Sequence, residues 1–398
     1  MPFYRTVGDI PKKRHIQFRK PDGNLYHEEL MGEEGFSDDS ALLYHLNAPT
    51  AITNSETVEG PTSRRRPNLP LLPRHFRTHK LVTGSKDPIL GRQHLFANGD
   101  IRISYVAADQ PSPLYRNAIG DECVYVESGT ARLESVFGAL EVGQGDHVLI
   151  PASATHRWVP TGDEPFRTLV VEASGGGHIN PPKRYLSERG QFLEHAPYCE
   201  RDLRSPEEPL IVEGEDVDVY GQHRQGWTKF TYVNHPFDVV GWDGYNYPYA
   251  FNIRDFEPIT GRIHQPPPVH QTFDVPGAVM CAFVPRLFDY HPQAIPAPYN
   301  HANVDSDEIL FYVGGDFMSR KGAGIEMGSL SMHPAGFIHG PQPGSVEASI
   351  GKKETEEYAI MIDTFRPLEI CAPAFTCEET SYAWSWSGGR KASGDSDQ

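Results

Sequence analysis

Apolar residues in this chain gather in short runs rich in β-branched and aromatic side chains, each closed by Gly, Pro, Asn or Asp. Such runs predict strands. Between about residues 90 and 175 they include Ile101–Val106, Cys123–Val126 and Thr168–Val171, and from Tyr249 onward Val279–Val284, Ile309–Val313 and Tyr358–Ile362. Strands at this spacing suit a sandwich or barrel. Residues 1–75 are polar and punctuated by Pro and Gly, with short alternating pieces such as His15–Phe18, and predict an extended N-terminal arm. A break at Ser174–His178, followed by Pro181 and Pro182, opens an acidic, Gly-rich stretch to 245. The expected layout is an arm (1–75), a first β-barrel (76–175), a connecting region (176–245), a second β-barrel (246–386) and a disordered tail (387–398) that contains no large apolar group.

Composition supports two all-β domains of jelly-roll or barrel type. At 398 residues the chain can bury two cores, and 37 Gly with 35 Pro favour a turn-rich β architecture over a helical bundle. A net charge of −17 opposes attraction to phosphate backbones or anionic lipid, so neither nucleic acid nor a membrane is an expected partner. The basic run Ser63–Arg66, interrupted downstream by Pro67, Pro70 and Pro73, predicts a solvated arm or a subunit contact. Five cysteines lie far apart with no C-x-x-C pair, and the N-terminus lacks the apolar core of a signal peptide. The expectation is a soluble cytoplasmic protein.

Self-alignment exposes a repeat. Asn117–Glu122 with Gly129 matches Asn303–Glu308 with Gly315, and Gly145, Pro151 and His156 recur at the offsets of Gly328, Pro334 and His339. Both registers agreeing by accident is improbable. The strings resemble the two motifs of the cupin superfamily, G-x5-H-x-H-x3,4-E-x6-G and G-x5-P-x-G-x2-H. In the second copy His301 stands at the first histidine position, Asn303 replaces the second histidine, and Glu308 and His339 complete the set. His301 and Glu308 can share a face only if Val304–Ser306 turns or bulges, and His339 would enter from an adjacent strand. Two imidazoles and one carboxylate with open positions typify non-haem Fe(II) oxygenases, although the ligand set alone does not separate Fe from Mn, Ni or Zn. In the first copy Tyr115 replaces the histidine while Glu122 and His156 remain, which predicts a degenerate barrel holding these two as a buried hydrogen-bonded pair.

The run Tyr299–Asn303, Asp307–Glu308, Gly328–Leu330 and His333 through His339-Gly340-Pro341 resembles the homogentisate 1,2-dioxygenases. The opening Pro2–His15 and the segment Glu28–Phe36 resemble bacterial members, so the resemblance spans nearly the whole chain. It implies a bicupin enzyme that binds Fe(II) through His301, Glu308 and His339. Its substrates would be a small aromatic and dioxygen, and its subunits would form a trimer or hexamer. It implies ring opening of homogentisate to maleylacetoacetate in aromatic amino-acid catabolism. The resemblance maps the proposed catalytic base onto His264 and a further active-site histidine onto His333; either could serve as base, and a structural hydrogen bond is the alternative for each, as for His270. In eukaryotic members a tyrosine and then a lysine after the glutamate face the substrate. Here Phe317 and Arg320 take those substrate-binding places; the hydroxyl is lost and a cation able to pair a carboxylate is kept. The alternatives are a gentisate- or other hydroquinone- or catechol-cleaving cupin and, against the loss of the second motif histidine, a Mn-dependent bicupin decarboxylase or isomerase.

Overall fold

A computed structural model of the chain describes residues 3–81, 86–317 and 324–388. Strands dominate; among the described residues the α-helices are the short Ser345–Ser349 and Ala372–Phe375. No helix there is long and apolar enough to cross a membrane. The protein is all-β and of bicupin type, in two compact units.

The first unit comprises residues 1–62, 83–93 and 101–255. One face of its core comes from strands in the order Tyr249–Asn252, Asp146–Ile150, Glu122–Ser128, Phe166–Glu172, Arg102–Ala108. The other comes from Gly138–Gly143, Thr130–Ser135, His156–Pro160, Leu114–Asn117, Glu215–His223, Gly226–Asn234 and Ile52–Val58. Val124, Val148 and Val170 from the first set pack with Leu133, Trp158 and Val219 from the second in one buried cluster. Burial of this alternating apolar face is the main drive for closing the two sheets.

Here the expected boundaries are corrected. Residues 1–62 are not an arm, and 176–245 is not a connector. Arg5–Gly8 pairs with Val239–Gly244, which pairs with Ser40–His45, and Ile52–Val58 pairs with Gly226–Asn234. These strands show little alternation because Ser40–His45 and Val239–Gly244 are buried along nearly their whole length, whereas in Ile52–Val58 almost every side chain is exposed. Their order comes from backbone pairing with segments far away in sequence, a signal that local periodicity does not carry. Tyr249–Asn252 pairs with Asp146–Ile150, so the first unit runs on to Asp255 instead of ending near 245.

The second unit comprises residues 63–82, 94–100 and 256–398. Its main sheet runs Gln271–Val275, Ala278–Phe283, Tyr358–Thr364, Asp307–Gly314, Ser329–His333, Arg74–Phe76. The basic run ends in the exposed strand Arg65–Pro67, paired with Glu369–Cys371, which also pairs with Phe96 and Ala97. Of the tail expected to be disordered, Ser387 closes the 3-10 helix Tyr382–Ser387; residues 389–398 lie outside the described residues.

Candidate metal centre

His301 and His339 face each other on an antiparallel bridge within the second unit. Each backbone N–H donates to the other's carbonyl, at 2.8 and 2.9 Å. Residues so opposed project to the same side, which brings the two rings to a centroid separation of 4.3 Å. Nδ1 of His301 lies 3.0 Å from the Tyr299 carbonyl and Nδ1 of His339 lies 3.1 Å from the Phe337 carbonyl. A carbonyl only accepts, so each Nδ1 carries the proton and each Nε2 keeps its lone pair for another group.

That other side is closed by Glu308, at the start of Asp307–Gly314. Its Oε2 is 3.8 Å from His301 Nε2 and its Oε1 is 3.4 Å from His339 Nε2. Ligand atoms of the three residues all fall within 4.8 Å of one another. Burial works against ionising Glu308, but the imidazoles of His301, His333 and His339 outweigh it and hold the carboxyl well below the usual range. His339 Nε2 is buried with no hydrogen-bond partner, a costly state unless something engages its lone pair. A divalent cation does so, and this donor set fits Fe(II).

Motif positions that ligate nothing build the frame. Asp307 Oδ1 accepts from the Ala335 N–H at 2.8 Å and Oδ2 from the Leu368 N–H at 2.7 Å, while the Gly336 N–H donates to the Asn303 carbonyl at 2.7 Å. The first copy repeats this: Asp121 accepts from Ala152 at 2.8 Å, and Ser153 donates to the Asn117 carbonyl at 2.7 Å. The aspartate before each glutamate thus ties motif one to motif two. Gly340 has no room for a side chain, since a Cβ there would lie 2.8 Å from the Asn300 Cα.

The two copies diverge at the carboxylate. His156 pairs with Tyr115 as His339 pairs with His301, and its Nδ1 again meets the carbonyl two residues back, at 2.9 Å. Glu122, however, is gripped by the buried Arg92 guanidinium at 2.8 and 3.1 Å, with Tyr115 and Asn117 donating at 2.9 and 3.0 Å. Glu122 and His156 are therefore not the mutually bonded pair expected. A fixed organic cation balances the charge of Glu122, and neighbouring Glu172 shares it at 3.4 Å. In the second copy the position opposite Glu308 that corresponds to Glu172 holds Asp363, to which Asn303 donates at 2.9 Å. Burial, then the charge of Glu308, pushes Asp363 up to about 7.

A cavity of about 990 Å3 opens on His301 and Glu308, lined also by His264, Tyr299, Asn303 and Asp363. His264 sits on its wall, 60% exposed, with Nδ1 3.4 Å from Asp289 and its ring 5.4 Å from that of Tyr299. His333 is elsewhere. Fully buried behind the centre, it stacks on His339 at 4.1 Å, and its Nδ1 and Nε2 meet Glu308 at 2.7 Å and the Tyr382 hydroxyl at 2.9 Å. With both nitrogens taken it is placed to orient Glu308, not to touch substrate. Phe317 is likewise off the cavity, edge-on to Tyr312 at 5.0 Å in a small apolar cluster, because an aromatic without a hydroxyl gains most by burial there. Arg320 lies outside the described residues. Asp307, Asp363 and Tyr382 had no sequence assignment; the Asp common to both repeats was the available signal for the first.

A strand-built pocket holding two histidines and a glutamate in this order defines the cupin class. A profile of the Cupin domain family matches residues 106–172, in the first copy. A Saccharolobus solfataricus protein named "Putative dioxygenase" is 41% identical over 97% of this chain and 99% of its own length, so the chain belongs to a cupin-superfamily dioxygenase family. Homogentisate 1,2-dioxygenase of Bradyrhizobium diazoefficiens is 28% identical over 69% of this chain and 62% of its own length, and that of Rhodopseudomonas palustris strain BisB18 is 24% identical over 96% and 91%. A cupin 2 conserved barrel domain protein from Leptotrichia buccalis overlays 73% of this chain and 96% of its own, with a TM-score of 0.32 and 9% identity.

Proposed function

We propose that this dioxygenase uses Fe(II), held by His301, Glu308 and His339, to open the ring of homogentisate or a close hydroquinone analogue, giving maleylacetoacetate from homogentisate. The observation that carries this reading is the convergence of His301 Nε2, His339 Nε2 and the ionised Glu308 carboxylate, with His301 and Glu308 lining a cavity large enough for an aromatic acid. Iron, when bound, supplies the electronic coupling that lets an electron-rich arene react with dioxygen despite the spin mismatch between them.

The chain's own groups bind, orient and move protons. His264, exposed on the cavity wall and backed by Asp289, is the base that removes a phenolic proton. In this reading His333, buried away from the cavity lining with Glu308 and Tyr382 on its two nitrogens, positions the glutamate and is not the base. The side chains of Tyr299, Leu310 and Met361 offer apolar and aromatic surface for the ring. Assembly as a trimer or hexamer belongs to the same reading, and light scattering of the purified full chain measures it. Protein loaded anaerobically with Fe(II) should consume dioxygen with homogentisate and produce the absorbance of a ring-opened dienone. Uptake with gentisate or another hydroquinone, and none with homogentisate, would move the substrate and keep the class; stoichiometric Mn with no uptake on any hydroquinone would sink it.

A further inference from the structure

Several arginines with little exposure are neutralised by the chain itself: Arg92 by Glu122 at 2.8 Å, Arg102 by Glu172 at 2.5 Å, Arg74 by Glu378 at 2.5 Å. Arg286 is not. It lies in the two-residue strand Arg286–Leu287, paired with Glu354–Thr355, and lines the cavity over the candidate metal centre. Nη1 donates to the Val284 carbonyl at 3.1 Å, and among the described residues the guanidinium forms no ion pair. Burial draws its pKa below the ordinary value while Glu357 and Asp289 act on it only from a distance. An arginine remains charged regardless.

The imidazole beside it can bring no negative charge. His270 also lines the cavity, and its Nδ1 is buried without a hydrogen-bond partner. Burial and then the Arg286 charge press this imidazole down to about 3, so it stands neutral beside the cation. Asp289 and Glu357 line the same cavity but neither pairs directly with the guanidinium, so the half-buried cation is only partly compensated and its donor face stays open to an anionic ligand. The donor fork of a guanidinium matches a carboxylate.

We propose that Arg286 is the anion subsite of this cavity, holding the carboxylate of the aromatic substrate and so restricting the substrate class to arene carboxylates over uncharged phenols. This deepens the proposed function, resting on it for the cavity's use as the substrate pocket. The assignment gives Arg286 the role that Arg320 was expected to fill.

The test is calorimetric titration of the full-length, metal-free chain with 3-hydroxyphenylacetate and with its methyl ester, which differ in charge. Wild type should bind the acid about 10- to 100-fold more tightly than the ester, the ratio expected of charge-assisted hydrogen bonds. Arg286→Met should erase the preference by weakening the acid alone, and Arg286→Lys should keep part of it. Equal affinities for acid and ester in wild type, or no measurable binding of the acid, overturn the proposal without recourse to any variant. An undiminished preference in Arg286→Met overturns it too. Because these titrations need neither metal nor dioxygen, failure of the ring-opening reading would be visible separately, as no dioxygen uptake by Fe(II)-loaded protein that still prefers the acid.

Discussion

Replacing Arg92 by Met removes the cation that balances two carboxylates in the core of the first unit. Side-chain exposure is 3% for Arg92 and 1% each for Glu122 and Glu172. Truncating one partner of a buried ion pair costs about 3–5 kcal/mol, because the other charge is left without compensation. The structure sets where in that range the cost falls. Glu172 keeps Arg102, at 2.5 and 2.7 Å, and Glu122 Oε1 keeps Tyr115 and Asn117, so the loss centres on Glu122 Oε2. A destabilisation of about 3 kcal/mol is expected. Adding Glu122→Gln should restore most of it, since a neutral amide needs no counter-charge. Urea denaturation of wild type, Arg92→Met and Arg92→Met/Glu122→Gln measures both quantities, and metal content serves as the control that should not change. A single variant within 1 kcal/mol of wild type, or a double variant no better than the single, would refute a guanidinium serving as the fixed counter-ion of this copy.

His301→Ala and His339→Ala should each lose bound iron by elemental analysis, whereas His264→Ala should retain it and lose about 10²- to 10⁴-fold in rate, the usual contribution of a general base; an iron-free His264→Ala protein would break this division of roles. His333→Phe removes the partner that orients Glu308, and competition against a chelator should show iron binding about 10- to 100-fold weaker; unchanged affinity would leave His333 without the orienting role. In the first unit, burial lowers the pKa of His45, but hydrogen bonds to Asp238 and Glu29 prevail and raise it to about 9. Its folded-state pKa thus exceeds the unfolded value of about 6.5. The stabilisation is complete below pH 6.5 or so, where both states hold the proton, and is lost as pH rises through about 9. His45→Asn should flatten stability across that window, and an identical pH slope in the variant would contradict the assignment.

The convergence of His301, Glu308 and His339 was legible in the chain because cupin motifs are local and repeated: the loop that carries His301 to Glu308 and the turn before His339 are each fixed by a few consecutive residues, including Asp307 and Gly336. Strands such as Ile309–Val313 and Val279–Val284 were legible for a related reason, since burial of both faces writes an unbroken apolar run into the sequence. What the sequence could not hold was partnership across long separations. Ile52–Val58 carries almost no buried side chain and is a strand only because Gly226–Asn234 lies beside it. His333 and Phe317, a short distance from ligands in sequence, could as well have faced the cavity; strand register and side-chain packing turned one toward Glu308 and Tyr382 and the other onto Tyr312. Likewise Arg92, thirty residues before Glu122, carries no motif that marks it as the counter-ion of the degenerate copy. Residue identity determined which chemistry was available at each position, and tertiary packing decided which groups meet, because a charge or a lone pair is defined by what lies within a few ångströms of it and not by its place along the chain.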